Sequence, residues 1–132
     1  MAVRLMLLCI GLLYVATGLW MLASPEGWYA AVPGVTMTGP NNHHFVSDIG
    51  LAYIASGAGL ALGFRAGATA AALALAGATW PVLHAGLHVW GWISHGFPAR
   101  ADVAISEGVG VVVLGVLGFI LALANAREEG VF

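Results

Sequence analysis

The sequence predicts an all-α integral membrane protein, a four-helix transmembrane bundle with both termini in the cytoplasm. Three observations carry that expectation. Of 132 residues, 61% are hydrophobic and 8% charged, against about 25% charged in an ordinary soluble domain. The apolar residues fall in four continuous runs of the length a bilayer's hydrocarbon core demands, about 20 residues each. The runs do not alternate every second residue, as strands of a membrane barrel would.

The first span reads from about 3 to 22, with Arg4 near its start and Ser24-Pro25 stopping it. It is too long in its apolar part for a signal peptide and has no Ala-x-Ala site. Residues 23–42 hold Pro25, Gly27, Pro33, Gly34, Gly39 and Pro40, a composition that reads as an irregular external loop. The second span runs from about 43 to 63, and its Gly57, Gly59 and Gly63 permit close helix approach. The third covers about 68–93 and is expected to kink at Trp80-Pro81. The fourth covers about 101–126 and closes at Arg127-Glu128-Glu129, with Gly108, Gly110, Gly115 and Gly118 read as packing glycines. All four spans form one domain.

With four spans both termini share a side, and Arg4, Arg65 and Arg127 fall on it while Arg100 falls opposite. The positive-inside rule then puts the termini in the cytoplasm of a multi-pass inner-membrane protein. A net charge of −2 with four Arg and no Lys offers no basic footprint for nucleic acid. The single cysteine, Cys9, lies within the first span, so neither a disulfide framework nor a CxxC motif can form.

Ionisable residues inside the spans point to function, because each costs a few kcal/mol at that depth unless paired. His44 and Asp48 are i,i+4 on the second span, His84 and His88 are i,i+4 on the third, with His95 further along that stripe, and Glu107 lies in the fourth. Counted at 1.5 Å per residue from the cytoplasmic helix ends, Asp48, His84, His44, Glu107 and His88 stand at roughly 22, 26, 28, 28 and 31 Å. Sharing one level, the five form a candidate metal-ligand set for zinc or iron, since mixed nitrogen and oxygen donors projecting into a bundle suit those ions.

Such a site would belong to a membrane enzyme acting on a small or lipid-like substrate. Haem binding across helices, through His44 with His84 or His88, is an alternative. A transport or accessory role is another, with the cluster as a proton or substrate site or a hydrogen-bonded latch. Beyond membrane lipid and such a substrate, a second copy of the chain is a possible partner, through Gly59-x3-Gly63 and the small-residue third span. His43 and His95 read as interfacial, and the five Trp as a boundary belt. Tyr14, Thr17, Tyr53 and Ser56 are placed to hydrogen-bond toward the cluster or simply to join helices.

The pattern Asn42-x-His44-x3-Asp48-x-Gly50, preceded by Pro33-Gly34 and followed by His84-x3-His88, resembles a group of small bacterial four-span membrane proteins of DoxX-like architecture. The resemblance covers most of the chain and implies the four-span fold. It implies no activity, and Glu107 enters from its depth alone.

Overall fold

The computed structural model describes all 132 residues, Met1–Phe132. Four helices are long and apolar enough to cross a membrane: α1 (Ala2–Ala23), α3 (His43–Leu62), α4 (Ala68–His95) and α5 (Ala101–Glu128). A short helix, α2 (Pro25–Ala31), and a 3₁₀ turn, Val35–Met37, lie between α1 and α3. The four long helices close a ring in which α1 packs on α3, α3 on α4, α4 on α5 and α5 back on α1. The fold class and the span limits therefore agree with the sequence expectation to within two residues at each end.

Local chemistry sets the boundaries. The Asn42 side chain accepts a hydrogen bond from the Phe45 amide at 3.1 Å and starts α3. Pro25 occupies the first turn of α2, where a missing N–H costs nothing. Gly67, at φ 108°, turns the chain into α4 in a conformation that other residues rarely adopt.

Packing is inverted relative to a soluble protein. The fully buried positions are mostly small, among them Ala71, Ala74, Ala85, Ala122 and Ala126, whereas Leu5, Leu12, Leu19, Leu51, Leu83 and Ile120 point outward. Lipid tails are as apolar as Leu, so helices in a bilayer gain by bringing backbones together and leaving large side chains to the lipid. Where α1 crosses α3, a Cβ on Gly57 would stand 2.5 Å from the Gly11 carbonyl oxygen, and one on Gly11 would stand 2.6 Å from the Gly57 oxygen; Gly18 meets the Gly50 carbonyl as closely. Gly59 meets Gly77 of α4 in the same way.

Two sequence expectations change, for residues 23–42 and for two of the glycines. Residues 23–42 are not irregular throughout: Ser24-Pro25 ends α1 and at once begins α2, and only the stretch after Ala31 is loop, with one 3₁₀ turn. Pro81 lies inside α4, which spans Ala68–His95 as expected; its carbonyl lies where Gly115 packs, 2.6 Å from a Cβ placed there. Gly108 and Gly110 are not packing glycines, since a Cβ on either meets nothing within 4 Å. Both belong to a π-helical segment, Ser106–Val113, set inside α5 between α-helical Ala101–Ile105 and Leu114–Glu128.

At the end of the bundle that carries both termini, Glu129 ties three parts of the chain together. Its carboxylate pairs with Arg4 and accepts the Gly67 amide at 2.7 Å. At the opposite, distal end the π segment packs on α4, while α1 meets α5 mainly along Leu114–Glu128. The gap left between α1 and the π segment holds the candidate site.

Candidate functional site

A cavity of about 800 Å³ fills that gap, within the range of small-molecule sites. Its walls come from all four long helices, and the 25–42 segment covers it through Trp28, Tyr29, Val32–Val35, Thr38 and Pro40. The cover rests on α5, where Val103 stands 3.0 Å and the Glu107 Oε1 3.6 Å from a Cβ placed on Gly34. Gly34 itself has φ 92°. On the α1 side the lining residues Leu13 and Trp20 are 48% and 44% exposed, so the cavity reaches the lipid-facing surface.

One wall is a ladder of rings. Tyr14 of α1 meets Tyr53 of α3 edge-on at 5.4 Å, and Tyr53 meets Trp80 of α4 at 5.0 Å. Trp80 stacks on His84 at 5.0 Å with planes 11° apart, and His84 meets His88 at 4.9 Å. The ladder ends at a carboxylate: His88 Nδ1 lies 3.4 Å from the Glu107 Oε2, and the same oxygen accepts the Trp92 indole N–H at 2.7 Å. Trp92 is in turn steadied by Phe97, edge-on at 5.0 Å. His84, His88 and Trp92 recur every four residues and so share one face of α4.

Of the five residues expected to form one ligand set, the structure brings together His84, His88 and Glu107. His44 and Asp48 pair with each other at 3.4 Å, with side chains 89% and 55% exposed, and do not line the cavity. The reason is direction, not depth. On α3, Val46 faces inward and lines the cavity, and a residue two positions away on either side points about 200° from it. No three His, Cys, Asp or Glu side chains gather at a point that could hold a metal ion.

His95, expected to continue the stripe, is exposed at the end of α4, and Trp92 takes that place. His43 lies 4.0 Å from Glu26 on the surface. Of the five Trp, Trp20, Trp28 and Trp80 line the cavity, Trp92 reaches the site through Glu107, and Trp90 is 65% exposed. Tyr14 and Tyr53 line the cavity without donating a hydrogen bond to the cluster.

The arrangement can bind, orient and exchange protons. It offers a long apolar and aromatic lining and a single strip of imidazole and carboxylate at the distal end. The Glu107 Oε1 lies beneath the Gly34 backbone with no hydrogen-bond donor on it. In comparisons with known proteins, no family model, no curated protein and no solved structure matched the chain.

Proposed function

We propose that the protein is a multi-pass membrane protein that takes a small lipid-like molecule from the bilayer into the distal cavity. There the polar group of that molecule is held against Glu107, His88 and His84. The observation that carries this reading is the cavity's continuity with the lipid-facing surface at Leu13 and Trp20, combined with one strip of ionisable groups inside a mainly apolar and aromatic lining. A ligand with a tail and one polar group matches both parts, since pockets of this kind use few polar groups to fix orientation. The Arg bias of the loops supports cytoplasmic termini, and with them a cavity in the outer leaflet of the inner membrane.

The test is photolabelling in proteoliposomes with a neutral alkyl-diazirine amphiphile, followed by mapping of the labelled residues. Label on Glu107 and Tyr53 is expected. It should fall sharply in Gly110→Leu, which adds a bulky side chain at a cavity-lining position where a Cβ meets nothing within 4 Å. Label confined to outward residues such as Leu51 and Leu83, unchanged by Gly110→Leu, overturns the reading. Elemental analysis and a visible spectrum of the same preparation test the zinc, iron and haem alternatives. Stoichiometric metal or a Soret band, lost in His84→Ala/His88→Ala, would put a metal or haem enzyme in place of the lipid-binding reading.

A further inference from the structure

The charge balance of the cavity is one-sided. Glu107 is its only acidic lining residue, and no Arg lines it in a chain that contains no Lys. The one distal arginine, Arg100, is committed to Asp102 through two hydrogen bonds of 3.1 and 2.6 Å. Glu107 is directed into the cavity with its Oε2 fixed by Trp92 and His88 and its Oε1 without a donor. A carboxylate in apolar surroundings calls for a counter-cation; the protein sets only the His88 imidazole against it, at the Oε2, and no Arg or Lys. The remaining lining is rich in the rings that attract cations through their faces: Trp20, Trp28, Tyr29, Phe45, Tyr53 and Trp80.

We propose that the ligand is a lipophilic organic cation, an alkylammonium amphiphile, whose charged nitrogen sits between Glu107 and the aromatic wall while its tail runs out past Leu13 and Trp20 toward the bilayer. This rests on the lipid-binding reading above and narrows it. A free carboxylate oxygen, an aromatic wall and the absence of any competing ammonium or guanidinium are the features that recognise such a cation. A fatty acid or a phosphate-headed lipid would bring its anion against Glu107, which disfavours it.

The test uses the full chain in proteoliposomes and the same neutral diazirine probe, displaced by either of two competitors. One is dodecyltrimethylammonium, and the other is its uncharged isostere with carbon in place of nitrogen, both dosed as mole fraction in the lipid. The ammonium is expected to displace the label at about tenfold lower dose than the isostere. Glu107→Gln, which still accepts the Trp92 N–H, should erase that difference. Trp28→Leu, on the cover and away from the helix crossings, should reduce it.

Equal displacement by both competitors, with the cavity still labelled, overturns the cation assignment and leaves the lipid-binding reading standing. No cavity label from the neutral probe in folded protein overturns both. A preference for the ammonium that survives Glu107→Gln removes Glu107 from the recognition and overturns the proposal as stated.

Discussion

The two ends of the bundle use the same four helices in opposite ways. At the terminal end Leu7, Leu60, Ala74, Ala122 and Ala126 are closed from solvent and lipid, and Glu129 draws the start of α1, the turn before α4 and the end of α5 into one polar knot. At the distal end the helices part around a cavity of about 800 Å³, and polar groups face inward. Backbones touch at glycine along α1 and α3, from Gly11 and Gly57 to Gly18 and Gly50, and these contacts fix the helix crossing. The open end places the π segment where α1 would otherwise pack, and keeps Glu107 and the imidazoles accessible. Rigidity at one end makes possible the vacancy at the other.

The sharpest way to break the comparison is to place the same methyl group at each end of the packing gradient. Gly57→Ala drives a Cβ to 2.5 Å from the Gly11 oxygen and should cost about 3 kcal/mol, as overpacking of backbone does. Gly110→Ala enters open space and should leave stability within about 1 kcal/mol of the parent. Unfolding of both variants in mixed detergent micelles measures the difference, and equal costs would refute the division into closed and open ends.

Trp92→Phe is the next largest. It keeps a ring beside Phe97 but takes the donor from Glu107, and should cost about 1 kcal/mol in the same assay. It should also lower Glu107 photolabelling, because the carboxylate loses its fixed direction.

The polar knot responds to acid. The Gly67 amide holds the Glu129 carboxyl below its ordinary value of 4.5, with Arg4 adding to the effect. Its stabilisation is therefore complete above that ordinary value and is lost as the pH falls through the lowered one. The melting temperatures of the parent and Glu129→Gln should differ by a constant amount near neutrality and converge in acid. A gap that persists below the lowered value would contradict the assignment.

Smallest of all are changes on the outer face of α3. His44→Ala and Asp48→Asn should each move stability by less than about 0.5 kcal/mol, since an exposed ion pair contributes little. Cavity labelling should not change. A loss of label in Asp48→Asn would return that residue to the site.

The spans were legible because hydropathy and the Pro, Gly and Arg breaks act over whole segments. Depth was legible too: counting along the helices puts His84, His88 and Glu107 at one level, and these three meet. Direction around α3 was not, because the run from His43 to Gly50 has polar and apolar residues on every side, and only packing against Met21 and Gly18 selects Val46 and Gly50 as the inward face. The π segment left no mark in the apolar pattern, since Ser106–Val113 reads equally well as α-helix. Trp92 could have been found from its four-residue spacing after His88. A tryptophan near a span end reads first as an interface anchor, and that hid it.

A π turn holds one residue more than an α turn, so α5 carries slack in chain length within Ser106–Val113. A single-residue deletion there can be absorbed by tightening to ordinary α geometry. Val103 would stay under the Gly34 cover, and Gly115, Ala122 and Asn125 would stay on their packing face. The same deletion within Leu114–Glu128 would turn one half of the helix by about 100° against the other and pull that face apart. The chain can therefore lose a residue beside the cavity, reshaping what the cavity admits, whereas the terminal half of α5 tolerates no such change in length.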